Sequence, residues 1–169
     1  MHFISTYLSP LGPIRMASDG EALTGLWFEG QKYYASTLSS LYEERELAVF
    51  TDTRRWLDIY FTAKAPDFTP RLSLNTTVFR KTVWEILLTI PYGQTMTYKA
   101  IAERIAEREG LPRMSAQAVG GAVGHNPISL IIPCHRVIGT HGSLTGYAGG
   151  VDKKAFLLNL EQQSLSRSL

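Results

Sequence analysis

The segment SLIIPCHRVIG, residues 129–139, runs Leu130, Ile131 and Ile132 into Pro133 and then sets Cys134, His135 and Arg136 side by side. A short apolar run closed by proline reads as buried strand or loop, and polar groups directly after it belong at a site more readily than in a core. Cys134 is the only cysteine among 169 residues, which excludes an internal disulfide, a Cys-rich zinc site and a CxxC redox pair. A lone cysteine is usually a small buried hydrophobe; to act as a nucleophile it needs a lowered pKa and a base. His135 is adjacent, but neighbouring side chains of extended backbone point to opposite faces, so a direct thiol–imidazole pair is not expected. His135 has to act through a bend or a bridging water. A histidine base also needs an orienting acceptor, and the only carboxylates downstream are Asp152 and Glu161. Glu161 falls on a predicted helix over 153–162, where a solvated surface position is the plain alternative.

Outward from this segment the chain is unusually free of charge: from 114 to 151 the only Asp, Glu, Lys or Arg is Arg136. Such a region is buried or pressed against something other than water. Just upstream, SAQAVGGAVGHN (115–126) predicts a helix capped by Ser115 and stopped by Gly124-His125-Asn126-Pro127. Gln117, Gly120, Gly121 and Gly124 share one face and Ala116, Val119 and Val123 the other. Glycine in a helix costs roughly 0.8–1 kcal/mol relative to alanine, so three on one face imply a close approach by another helix or by a DNA groove. Before it, TYKAIAERIAERE (97–109) predicts a helix capped by Thr97 with a stripe of Ala100, Ile101 and Ile105, ended by Gly110-Leu111-Pro112. The pair fits a helix-turn-helix, although helix pairs with such turns are common. TTVFRKTVWEILLTI (76–90) predicts a further amphipathic helix with a threonine cap, stopped by Pro91-Tyr92-Gly93.

The first third reads as sheet. HFISTYLS, PIRMAS and ALTGLWFEG are β-branched and aromatic runs separated by SPLGP and SDG turns, an antiparallel meander of three strands. Residues 31–48 are expected to be partly helical, and 52–63 helical with Asp52 as N-cap and Trp56, Ile59 and Tyr60 toward the core. Pro66 and Pro70 mark a boundary, giving a supporting domain over 1–75 and a helical domain over 76–169 in an α+β architecture. The first carries 7 basic and 9 acidic residues and the second 10 and 6, so the second half is the better partner for a polyanion. With 44% apolar and 19% charged residues and a net charge of +2, the chain is globular and does not bind nucleic acid by bulk charge. The longest uncharged stretch, 114–135, is broken by three glycines and two prolines and is no membrane span. The N-terminus lacks the pattern of a secretory signal, so a cytoplasmic location is expected.

IPCHRVIG (132–139), followed by GYAGG (146–150) and LLNLE (157–161) and preceded by TYKAIA (97–102) and AVGGAVGHNP (118–127), resembles the methylated-DNA-protein-cysteine methyltransferase family, the O6-alkylguanine-DNA alkyltransferases. The resemblance is strong from Phe79 to Glu161 and weaker through SPLGPI and LTGLWFEGQK. It implies an N-terminal sheet domain resembling ribonuclease H. It also implies single-use transfer of an alkyl group, chiefly methyl, from O6 of a flipped guanine (or O4 of thymine) in double-stranded DNA to a cysteine. Carried over, Cys134 is the acceptor, His135 the base acting through water, and Glu161 the group that holds and polarises His135. Tyr98 offers its hydroxyl to the base. Asn126 braces the turn before the Cys loop and Arg136 ties that loop. Val137 presents backbone to the exocyclic amine. Tyr147, Ala148 and Gly149 wall the pocket together with Val123, while Gly120 and Gly121 face the minor groove. The resemblance implies a monomer with no cofactor, and no metal, since zinc-binding relatives use N-terminal Cys and His ligands where this chain has only His2.

One departure stands out. The family usually inserts an arginine from the recognition helix into the base stack, and here that position is Gln117. Gln is shorter and uncharged, so its plug is weaker by about 1–2 kcal/mol. This keeps open a second reading, a lesion-binding protein like the alkyltransferase-like relatives, which lack the acceptor cysteine. A cysteine hydrolase is a third reading, distinguished by turnover.

Overall fold

The computed structural model describes residues 1–144 and 146–167. The meander forms as read: β1 (His2–Ser9), β2 (Gly12–Ser18) and β3 (Leu23–Phe28) pair antiparallel. Gly12 makes the first turn possible at φ 95°, a backbone that side-chain-bearing residues rarely adopt. Alternation divides the sheet: Ile14, Met16, Leu26 and Phe28 enter the main core, while Ile4, Ala17 and Trp27 make a smaller cluster on the other face.

The expected helix within 31–48 does not form. Tyr33 and Ala35 take positive φ in a run of turns, and β4 (Tyr42–Glu44) then adds to β1 in parallel, giving the order β3-β2-β1-β4. The segment is dominated by exposed residues, so a helix there would bury no stripe, whereas the open edge of β1 offers it backbone partners. The first helix, α1 (Ala48–Tyr60), starts four residues before the expected Asp52; its N-cap is Leu47, which supplies no side-chain hydrogen bond. Trp56, Leu57 and Tyr60 are buried on it and Ile59 only half-buried.

The remaining helices are α2 (Val78–Leu87), α3 (Tyr98–Glu109), α4 (Ala116–Gly124) and α5 (Val151–Arg167). Three caps form as the sequence predicts: the side chains of Thr77, Thr97 and Ser115 accept from the backbone N–H of Arg80, Ala100 and Ala118. Gly110 closes α3 in the left-handed conformation. The Trp84 indole N–H donates to the Ala122 carbonyl at 2.9 Å and fastens α4 to α2.

Two non-local pairings position the Cys segment. The outer edge of β3 is not open: Leu26 N–H donates to Pro127 O and Ser129 N–H to Leu26 O, which ties the approach to Cys134 onto the N-terminal sheet. Two short strands, β5 (Met96–Thr97) and β6 (Val137–Ile138), pair in parallel and set the start of α3 beside the end of the Cys segment. The buried core is continuous, with Met16 and Phe50 from the first half and Ile101, Val119 and Cys134 from the second in one cluster. Among the described residues, no helix is long and apolar enough to cross a membrane.

Candidate active site

Asn126 follows α4 and fixes the turn that leads to Cys134. Its amide donates to the carbonyls of Ile132 (2.8 Å) and Ile128 (3.2 Å), and its carbonyl accepts from Ile128 N–H (3.0 Å). The same side chain lies beside the Cys134 thiol and favours its charged form.

Cys134, His135 and Arg136 form a single 3-10 turn rather than extended backbone. This supplies the bend that adjacency demanded: successive side chains diverge around the turn instead of facing opposite ways. His135 Nε2 stands 2.5 Å from Glu161 Oε2, and both side chains are fully buried. Glu161 collects further donors. Tyr60 donates its hydroxyl to Oε2 (2.7 Å), Gly93 its backbone N–H to Oε1 (2.9 Å), and Arg136 donates from Nε to Oε1 (2.9 Å) and from Nη2 to Oε2 (3.3 Å). Arg136 Nη1 reaches the Ile90 carbonyl at 2.8 Å.

The electrostatics derive from this packing. Burial alone would raise the Glu161 carboxyl, but the hydrogen bond and charge of His135 and the Arg136 guanidinium outweigh it and hold the group down at about 2. Burial pushes the His135 imidazole below its ordinary range despite Glu161 beside it, so the ring is neutral near pH 7. An ionised Glu161 can only accept, so the single ring proton sits on Nε2, and Nδ1 is left as a lone-pair acceptor. Nδ1 is buried and, among the described residues, has no hydrogen-bond partner. Burial also pushes the Cys134 thiol up, opposed by the Asn126 side chain and the charge of Lys154.

These shifts make the fold acid-sensitive, with a definite sign. Unfolded, Glu161 returns to about 4.5, so its stabilisation is complete above that value and is lost as the pH falls toward 2. His135 is held below 6.5 in the fold, so the unfolded chain takes up its proton first as the pH drops through 6.5. Both act in one direction: the melting temperature should fall from about pH 6.5 downward, steepening below 4.5. A melting curve series flat from pH 7 to 4 would refute this account.

The residues expected to wall a pocket lie on α3 and on the loop 146–149. Tyr98 opens α3 half-buried; burial and the nearby Cys134 raise its hydroxyl. A Cβ placed on Gly146 would lie 3.2 Å from the Tyr98 hydroxyl, so that loop passes close over the phenol. Tyr147 is buried, and a Cβ on Gly149 would sit 2.7 Å from the Tyr147 ring and 3.3 Å from Phe28, so a side chain there would displace the ring. The half-buried Ala148 accepts Lys32 N–H at 3.1 Å, tying this wall to the N-terminal half.

On α4 the outward face is open. A Cβ on Gly121 or Gly124 would meet nothing within 4 Å, so among the described residues no other helix packs there, and Gly120 looks toward the Tyr98 ring. Gln117 is exposed on this face, whereas Val123 points into the core. A cleft of about 170 Å³ runs beside the glycines, bounded also by Lys32, Tyr33, His125 and Ala148.

Cys134, His135, Glu161 and Arg136 therefore meet in one cluster with Asn126, Val137, Tyr98 and Tyr147 around it, while Gln117, Gly120 and Gly121 lie on the neighbouring helix face. Sequence reasoning missed Tyr60, read only as a core residue, as well as Gly93 and Lys154. Tyr60 joins the cluster from α1, a contact across 101 positions that no local pattern announces.

A model of the 6-O-methylguanine DNA methyltransferase DNA binding domain matches residues 78–163, and one of its ribonuclease-like domain matches 3–74. The chain is 43% identical over 161 residues to the methylated-DNA--protein-cysteine methyltransferase of Mycobacterium leprae, covering 95% of this chain and 93% of the relative. It is 45% identical over 157 residues to that of Methanosarcina barkeri, covering 93% and 95%. The structure of Mycobacterium tuberculosis OGT in complex with DNA superposes with a TM-score of 0.83 at 40% identity, over 96% of this chain and 94% of the other. Matches of this extent, converging on a buried Cys-His-Glu cluster, place the chain in the methylated-DNA--protein-cysteine methyltransferase family.

Proposed function

We propose that this chain repairs DNA directly, taking the alkyl group from O6 of guanine onto Sγ of Cys134 in a single-use reaction. The Cys134 proton passes through one water to Nδ1 of His135, whose new charge is balanced by Glu161. The thiolate attacks the alkyl carbon, the C–O6 bond breaks and its electrons pass to the purine. Tyr98 donates a hydrogen bond to the base as that negative charge develops. The products are a thioether on Cys134 and a guanine anion, which becomes unmodified guanine by taking a proton on its ring from solvent as His135 returns its own proton to water. The observation that carries this reading is the His135–Glu161 pair, which fixes the ring proton on Nε2 beside the chain's one thiol. Incubation with duplex DNA labelled on the methyl of O6-methylguanine should place label on Cys134, at no more than one per chain. Binding without transfer would favour a lesion-recognition protein, and continued turnover a hydrolase.

In this reading α3 and α4 act as a helix-turn-helix, with the open glycine face of α4 in the minor groove and the target base flipped into the pocket beneath Tyr147. Residues 1–75 support the site and 76–169 carry it. The protein works as a cytoplasmic monomer without metal or cofactor, because the lesion itself is the alkyl donor. O4-alkylthymine is a second substrate on the same logic.

Gln117 limits flipping in duplex DNA. Restoring the longer cation with Gln117→Arg should speed transfer from duplex about tenfold, the equivalent of 1–2 kcal/mol, while leaving reaction with free O6-benzylguanine unchanged. Equal duplex rates in the two proteins would sink this account of Gln117.

A further inference from the structure

Gln31, in the turn after β3, is a buried amide of the N-terminal half that no step of the alkyl transfer above uses. Buried polar atoms need partners, and this side chain takes them from both halves of the chain. Its carbonyl oxygen accepts the backbone N–H of Phe28 at 2.8 Å and the hydroxyl of Ser129 at 3.3 Å, and its NH₂ donates to the Lys32 carbonyl at 3.3 Å. Ser129 opens the buried run that leads to Cys134, so one amide joins the end of β3 to the approach to the thiol.

The next two residues grip two further parts of the site. Lys32 N–H donates to the Ala148 carbonyl at 3.1 Å; among the described residues this is the one backbone hydrogen bond from 146–149 to a distant part of the chain. Tyr33 takes φ 57°, a left-handed backbone uncommon for a residue with a side chain, and lays its ring on His125 with centroids 3.9 Å apart and planes 25° apart. His125 follows the last turn of α4, its Nδ1 2.7 Å from the Gly121 carbonyl. Beyond Tyr33 the segment is fastened to the sheet: Thr37 donates to the Thr24 carbonyl at 2.9 Å, and Ala35 and Leu38 pack on the cluster around Trp27. Lys32 and Tyr33 thereby line the cleft of about 170 Å³ whose other walls are the glycine face of α4 and the loop at Gly146 and Ala148. Gly120 and Gly146 both bring that cleft against Tyr98.

We infer that Gln31, with Lys32 and Tyr33, is a specificity-determining clamp: anchored on the N-terminal sheet, it fixes the spacing between the loop 146–149 and α4 and so limits the size of the O6 substituent that is accepted. The inference rests on the alkyl-transfer reading. A methyl group needs little room and passes whether or not the wall yields, whereas a bulky substituent must push the wall outward against the clamp. Gln31 touches no reacting atom and acts through Ser129 and the Lys32–Ala148 bond.

Two substitutions loosen the clamp from different points. Gln31→Met keeps the length of the side chain and removes its hydrogen bonds. Tyr33→Gly removes the stacked ring at an exposed position whose φ suits glycine, so the fold is kept. Single-turnover transfer from one duplex carrying either O6-benzylguanine or O6-methylguanine gives a benzyl-to-methyl rate ratio. One methylene of room in an apolar pocket is worth about 10-fold or more in discrimination, so the ratio should rise about tenfold in both variants, and Tyr33→Phe, which retains the ring, should retain the wild-type ratio. A substitution that only destabilises the protein lowers the active fraction equally for both duplexes and leaves the ratio alone. Hydrogen exchange at the Lys32 amide, read without substrate, should quicken about tenfold in both variants. Should Gln31→Met fold poorly, Tyr33→Gly decides alone. An unchanged ratio in Tyr33→Gly would overturn the inference. Quickened exchange together with no transfer by the wild type from either duplex would instead sink the alkyl-transfer reading and leave the clamp on 146–149 standing, and unchanged exchange would overturn the clamp as well.

Discussion

Cys134→Ser is expected to end alkyl transfer, with a fall of at least about three orders of magnitude, while the fold and duplex binding persist. The serine hydroxyl ionises far above a thiol, and the same burial that pushes the Cys134 thiol up would push an alkoxide higher still. No second thiol can take over, because Cys134 is the chain's only cysteine. The change is small in volume, and the Asn126 amide that lies beside the thiol can serve a hydroxyl as well, so the melting temperature should move by only a few degrees. The open glycine face of α4 and the exposed Gln117 are untouched. The variant should therefore bind O6-methylguanine duplex and hold it without repairing it. Mass spectrometry of the protein after incubation, paired with a gel-shift titration, reads both outcomes. Label appearing on the serine variant would move the acceptor to another residue and overturn the mechanism.

Local signals carried much of the fold and stopped at predictable points. Thr77, Thr97 and Ser115 were legible as caps because the capping hydrogen bond spans only three residues. The meander was legible because its turns are built from proline and glycine. Leu47 was not, since it caps α1 without a side-chain hydrogen bond and leaves no mark in the sequence. The β5–β6 pair links Met96 to Val137 across two helices, and two-residue strands have no periodicity to read.

The site divides in the same way. Cys134 and His135 stand out by type and adjacency, but the choice between extended backbone and a bend is not written in three residues, and the chain takes a 3-10 turn. On α5 the residues Lys154, Leu157 and Glu161 lie at i, i+3 and i+7 and are all fully buried. Two of the three are charged, so the stripe reads as a solvated face until Val137, His135 and Arg136 are seen meeting it. Resemblance to a family flagged Glu161; nothing in the spacing flagged Lys154 or Tyr60.

Glu161→Gln is expected to be the most destabilising single change at the site and to slow transfer by two orders of magnitude or more. The carboxylate accepts from Tyr60, Gly93, His135 and twice from Arg136. A glutamine has one acceptor oxygen, and its NH₂ must face donors on the other side, either Gly93 N–H and Arg136 Nε or Tyr60 and His135. Arg136 is then left as a buried cation without its counter-charge, a loss of about 3–5 kcal/mol. For a chain of this length that lowers the melting temperature by about 10 °C. The acid-side fall in stability below pH 4.5 should shrink as well, since the group responsible no longer titrates. Catalysis suffers for a separate reason. Without an anion at Oε2 nothing fixes the His135 proton on Nε2, so Nδ1 is no longer held as the acceptor, and the imidazolium formed during transfer loses its balancing charge. Glu161→Asp separates the two effects: it retains the charge but is one methylene short, and should recover part of the stability and part of the rate. Calorimetry and single-turnover transfer kinetics across pH 6–9, measured on all three proteins, provide the comparison. A glutamine variant that transfers within about twofold of wild type with an unchanged pH profile would mean that His135 does not depend on Glu161 for its tautomer.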